Sequence, residues 1–402
     1  MKKTISILAA AVLGGAVSFF VATDRQIKLD AARLLAEKAA WDKEKAALES
    51  ALGAAQGKLG QVKTISPRTE IVEVAKKLSA KEIIATLKTI RVTARETKNA
   101  RQAIQQLENL VELGPDALPE IQAFLTTQEE IDYDPSIFGS WKVSKDGNVP
   151  TDFIFPPSLR FGLFDVVRQI GSVQAETILS DTLRVTGRGV ELAYLTRVLH
   201  QIAPFKYRDL AVGAAKDLLN SPVNTNPASA LDKFERNYLF GVLAFYNDAS
   251  LAQQAQAQLV QSDGKVDKGA LQYLQSTLGA EVIPAIAQIY EDSRLTNGAQ
   301  KEPLARLALT FAGQNAQADA LWRTAINDKS IPTDARRELV EDLNQDGLNE
   351  KAPTERDYAI MRKRLDLIEK NRSDADSKPI ADAFTEAAKD LNEMLAKAPK
   401  PQ

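Results

Sequence analysis

The chain contains no cysteine. That excludes disulfides, thiolate metal sites and cysteine nucleophiles together, although it does not fix the compartment. Histidine is almost as scarce: His200 stands alone in 402 residues. A histidine-rich metal site and a His/His acid–base pair therefore cannot form within one chain. An excess of charge is also missing, because 51 basic residues face 53 acidic ones. Nucleic acid is not an expected partner, since binding it depends on neutralising phosphates. Phosphate-loop, zinc-peptidase and Gly-x-Ser-x-Gly patterns are absent. Gly187-Arg188-Gly189 is no dinucleotide loop: no strand precedes it, and Leu192 stands where the third glycine belongs. His200 falls in the last turn of a predicted helix, where it suits the dipole. No catalytic residue, cofactor or metal site is expected.

What the chain does contain is enough apolar material, 44% of residues, for a substantial core, and 26% charged residues to solubilise it. The first 22 residues are set apart. Lys2 and Lys3 precede an uncharged run from Ile5 to Ala22. Its 18 residues reach roughly 27 Å as a helix, close to the thickness of a bilayer's hydrocarbon core. The expectation is a retained single-pass anchor in the inner (plasma) membrane, with the bulk of the chain outside the cytoplasm. The alternative is a cleaved signal and a secreted or periplasmic protein. Ala22 at a cleavage site would place Phe20 at −3, a poor fit, whereas Ser18 with Ala16 fits better.

Residues 23–63 read as a helical stalk. Ile27, Leu34, Trp41, Leu48, Ala55 and Val62 recur every seven residues, the period of a coiled coil. The companion positions are Ala31, Lys38, Lys45, Leu52 and Leu59, so the seam is narrow. Gly53, Gly57 and Gly60 weaken the last turns by about 1 kcal/mol each. The pattern predicts either a parallel homodimer through residues 27–62 or a single amphipathic helix. Pro67 ends the rod.

From residue 79 onward, amphipathic segments of helical period follow one another across short turns. The spacing predicts helices over 79–93, 97–112, 116–127, 158–170, 173–185, 189–202, 206–219 and 230–245. It continues with 248–260, 267–277, 281–292, 299–311, 315–327, 333–343, 355–370 and 379–396. Such a string buries its apolar faces most simply as stacked antiparallel pairs. A repeat supports this. Leu113-Gly114-Pro-Asp-Ala-Leu-Pro119 and Leu278-Gly279-Ala-Glu-Val-Ile-Pro284 carry apolar residues at matching offsets, with proline at the same place. Ile170-Gly171 and Ala312-Gly313 are degenerate copies. Gly114 and Gly279 are expected to close one helix in a left-handed conformation, and proline is tolerated in the first turn of the next.

These stretches resemble HEAT repeats and related HEAT-like (armadillo-type) bacterial repeat proteins, over about residues 95–343. The resemblance implies an all-α solenoid, assigned here to residues 64–370, and a role in protein–protein scaffolding along a curved surface. Residues 371–402 are expected to form a capping helix and a tail. Within the solenoid, residues 128–157 break the helical pattern. Gly139–Val143 and Asn148–Phe155 flank a Lys145-Asp-Gly-Asn148 turn and predict a hairpin, with Pro150 confining it to an edge. The segment holds Tyr133, Phe138, Trp141, Phe153 and Phe155, which would either anchor a partner or plug a gap between repeats.

One further segment invites a metal reading. Asp342, Asn344, Asp346 and Gly347 match positions 1, 3, 5 and 6 of a calcium loop. Position 12 is Pro353 where a glutamate is needed, and Glu350 and Glu355 are out of register. The segment therefore reads as an Asp-Gly turn at a helix end. The expected function is a membrane-anchored scaffold for a protein partner, without catalysis of its own. The competing readings are a structural part of a cell-envelope or secretion assembly, and an enzyme built on a helical solenoid.

Overall fold

The computed structural model describes residues 78–93, 97–134, 136, 147–223, 229–349 and 353–398. The proposed anchor and stalk lie outside them, as do Phe138 and Trp141. Among the described residues no helix is long and apolar enough to cross a membrane.

Sixteen α-helices follow in chain order among the described residues. The first eight are α1 (Ala80–Thr89), α2 (Thr97–Leu113), α3 (Leu118–Thr126), α4 (Leu159–Ile170), α5 (Val173–Val185), α6 (Gly189–Ile202), α7 (Arg208–Asn220) and α8 (Glu235–Phe245). The second eight are α9 (Ala252–Ala257), α10 (Lys268–Leu278), α11 (Ile283–Tyr290), α12 (Gly298–Phe311), α13 (Ala316–Asn327), α14 (Thr333–Glu341), α15 (Glu355–Asn371) and α16 (Lys378–Leu395). Local chemistry sets their starts. Ser79 and Glu82 form a capping box at α1, Asn297 and Gln300 at α12, and Thr354 and Asp357 at α15.

The helices stack in two layers. α2, α4, α6, α8 and α10 pack in succession along one layer, and α1, α3, α5 and α7 along the other. Sequence neighbours such as α5 and α6, or α7 and α8, join the layers. This all-α stack of near neighbours is consistent with an α-solenoid, in which each unit buries its apolar face against the next.

Gly114 and Gly279 hold φ values of +60° and +56°, positive as expected, although Gly279, with ψ −133°, lies outside the left-handed helical region. Nothing lies within 4 Å of a Cβ added at either glycine, so conformation and not crowding demands glycine. Each opens a short 3₁₀ turn, Gly114–Ala117 and Gly279–Val282, and Pro119 and Pro284 then sit in the first turn of α3 and α11.

Two expectations need correction. The helix foreseen over 248–260 shrinks to α9. Asp248 turns the chain before it, accepting a bond from Ser250 N at 3.1 Å, and an isolated antiparallel bridge between Val260 and Val266 ends it. The second arm of the expected hairpin, 148–155, forms no strand. It lies against helices instead, while Asp132 and Ser158 make an isolated antiparallel bridge at the base of the insertion.

Far along the stack, Arg364 is fully buried and donates to the carbonyls of Ala312, Leu343 and Leu309 at 2.9, 2.8 and 3.2 Å. Burial draws its pKa down to about 10. It ties α15 to the carbonyl end of α12, where a cation suits the dipole. Asp328 joins α11, α12 and the end of α13. Burial opposes its charge, yet bonds from Ser330, Lys301 and Tyr290 hold its carboxyl at about 2.

Two tests follow from these features. Gly279→Ala should cost about 1 kcal/mol or more. Gly213→Ala, within α7 where an added Cβ meets nothing, should gain up to about 1 kcal/mol. Equal losses in denaturant melts of the two variants would refute the conformational explanation. Because the pKa of Asp328 is lowered on folding, its stabilisation is present above the unfolded value of 3.8 and is lost as pH falls through about 2. Asp328→Asn should lower Tm at pH 7 and converge with wild type near pH 2.

Candidate binding surface

The insertion is fixed by buried charge. Arg160 and Glu191 pair in two parallel bonds of 2.6 and 2.9 Å, and Glu191 has no exposed surface. Thr186 donates to the same carboxylate at 2.8 Å, and Arg160 also donates to the Leu125 carbonyl at 2.9 Å. Arg188 bonds Glu130 and, at 2.9 Å, Asp232. α3, α4, α6 and the start of the insertion therefore meet at one ionic knot. Burial raises the pKa of Asp132, opposed by a hydrogen bond from Ser229 and reinforced by the charges of Asp232 and Glu191.

Three of the insertion's five aromatics pack inward. Tyr133 and Phe155 are buried with rings 5.2 Å apart. Phe153 meets Tyr194 at 6.1 Å, and Tyr194 meets Phe161 at 5.0 Å. For these three the plug reading is correct. Phe138 and Trp141 fall outside the described residues.

Beyond the knot, the insertion crosses α8. A Cβ on Gly241 would lie 2.8 Å from the Gly147 carbonyl oxygen, and one on Gly147 would lie 2.1 Å from that of Asn237. Only glycine on both sides permits this approach. The crossing walls one side of a 430 Å³ cavity whose other sides are α6, α8 and α10. Its lining includes Asn148, Arg197, Phe240, Phe245, Gln272 and Ser276.

Arg197 is the uncommon element. Its guanidinium lies 5.1 Å from the centre of the Phe245 ring. Burial draws its pKa down. Among the described residues every other buried or partly buried arginine is compensated. Arg160, Arg168, Arg188, Arg208, Arg236, Arg306, Arg336 and Arg337 pair with carboxylates, and Arg364 bonds carbonyls. Arg197 has neither kind of partner among those residues.

Next to it stands an aromatic group. His200 meets Phe205 and Phe245 edge-on, both at 4.9 Å, and Tyr246 at 5.8 Å. Its Nδ1 accepts a bond from Phe205 N at 3.4 Å. Phe205 is 67% exposed at φ +62°, a strained conformation for a bulky residue. Ile202 and Phe245 are exposed beside it. Phe245 belongs to both this cluster and the cavity wall.

The segments weighed from sequence fall as follows. Gly187-Arg188-Gly189 opens α6: Arg188 sits in the ionic knot, and Gly189 N donates to Glu235 at 3.3 Å. The acidic groups of the turn at 342–347 point to different neighbours. Asp342 accepts from Arg306 at 2.9 Å and Asp346 from Thr310 at 3.2 Å, while Asn344 donates to Asp390 at 2.9 Å. His200 belongs to the aromatic cluster. Arg197 escaped sequence reading because one arginine on an amphipathic helix looks like any other.

Glu191→Gln should cost about 3 kcal/mol, since it leaves two buried guanidinium groups short of charge. Asp366→Asn, which breaks the exposed pair with Lys370, should change stability by less than about 0.5 kcal/mol. Comparable losses in urea melts would dismiss the knot as the anchor of the insertion.

No protein-family model matches the chain, and no curated protein or solved structure matches it either.

Proposed function

We propose that the protein is a membrane-anchored scaffold of the HEAT-like kind, which holds a protein partner and performs no catalysis itself. The observation that carries this reading is the surface on α6, α8 and the loop after α6. Exposed Phe205, Ile202 and Phe245 stand beside a partly buried Arg197 that has no ion pair among the described residues. Aromatic and arginine side chains clustered at a cavity edge have the composition of an interface hot spot. The strained backbone at Phe205 supports the same reading, because strain persists where function requires a particular side-chain position. The apolar run 5–22 and the heptads 27–62 supply the tether and the stalk of the proposal.

The full chain, solubilised from membranes in detergent, should capture a partner that the Phe205→Ala/Phe245→Ala variant fails to retain at unchanged Tm. Deleting residues 1–22 should release a folded protein from membranes, and residues 64–402 should scatter light as a monomer. Undiminished capture by the double variant would place the interface elsewhere. A dimer of residues 64–402 would remove the stalk from the proposal.

A further inference from the structure

We infer that the cavity between α6, α8 and α10 receives the carboxylate of an aspartate or glutamate side chain from the partner polypeptide, with that residue's apolar neighbours resting on Phe205 and Phe245. The inference rests on the interaction surface proposed above and adds the chemistry of what it recognises.

The first ground is charge. A guanidinium drawn part-way out of water without a counter-charge carries a cost, and Arg197, partly buried, is uncompensated among the described residues, where the other buried or partly buried arginines are compensated. The missing component is an anion. Its magnitude follows from the lining, where Arg197 is the one charged side chain among the described residues. A carboxylate matches a single guanidinium and fits its fork of donors. A phosphate, at about −1.5 to −2, would call for a second cation.

The second ground is geometry. Arg197 is recessed and Phe205 is exposed, while Phe245 belongs to both places. An acidic side chain reaches inward while its backbone stays at the rim. Asn148, Gln272 and Ser276 border the same opening and offer amide and hydroxyl groups to that backbone. The volume of 430 Å³ lies in the usual range for ligand sites, about 300–1,000 Å³. Stacking on Phe245 holds the guanidinium in place before a ligand arrives, which limits the entropy lost on binding.

The test uses three short probes on the full chain in detergent, each with a neutral dye at its N-terminus, read by fluorescence anisotropy. They are Leu-Glu-Phe-amide, its neutral twin Leu-Gln-Phe-amide, and Leu-Gln-Phe with a free carboxy-terminus. The glutamate probe should bind about tenfold more tightly than the neutral twin, as one charge-assisted bond would give. Arg197→Met should abolish that preference at unchanged Tm, and Arg197→Lys should keep part of it. Equal binding of the first two probes, or a preference that survives Arg197→Met, would overturn the inference. So would equally tight binding of the free carboxy-terminus, which assigns the cavity to chain ends, or displacement of the glutamate probe by millimolar inorganic phosphate. If Phe205→Ala/Phe245→Ala loses the partner while Arg197→Met retains it, the scaffold stands and the carboxylate site falls.

Discussion

The Glu191 carboxyl has no exposed surface, and much of the surrounding architecture serves its hydrogen bonds. A carboxylate in that position is tolerated only with several donors in good geometry. Arg160 supplies two bonds and Thr186 a third. Arg160 in turn needs the Leu125 carbonyl, and Arg188 needs Glu130 and Asp232. These demands fix α4 against α6 and bring the insertion back onto the stack at the place where it leaves. A repeat array tolerates an insertion if the units on either side still pack. Here the ionic knot and the Tyr133–Phe155 pair close the gap together.

The proposed binding face of α6 is what remains once that knot is made. From Val190 to Leu199 the helix is buried at every position except Arg197, and His200 and Gln201 follow it at helical spacing. Gln201 donates to Thr151 of the insertion at 3.1 Å, so this stripe borders the inserted segment. Neither the insertion nor the helix alone would create the cavity. Gly147 and Gly241 bring them close enough to enclose it without filling it.

The repeating part of the fold was legible because its signals are local. A glycine that must adopt positive φ and a proline that must sit in a first turn are properties of single positions, and Gly114, Pro119, Gly279 and Pro284 behaved accordingly. The shortened α9 and the strandless 148–155 segment were not legible, because both depend on partners distant in sequence. Asn148–Phe155 alternates and turns like a strand, yet the neighbours it meets are the helices α6 and α8. The candidate site was least legible of all. The identity of Arg197 carries no information, whereas its lack of a counter-charge is a property of everything packed around it.

Two unfavourable features coincide on this one face. Phe205 holds a backbone conformation that disfavours a bulky side chain, at a cost of about 1–3 kcal/mol. Arg197 holds a partly desolvated charge with no ion pair among the described residues. Elsewhere the structure resolves comparable problems locally: Arg364 takes four carbonyls, Asp328 takes donors from two helices and a turn, and Arg336 takes Asp376. Strain and charge left unresolved at separate places would need separate explanations. Placed 4.9–5.1 Å apart in sequence of contact, from guanidinium to Phe245 to His200 to Phe205, they need one, and the proposed partner, with both an anion and an apolar surface, would supply it.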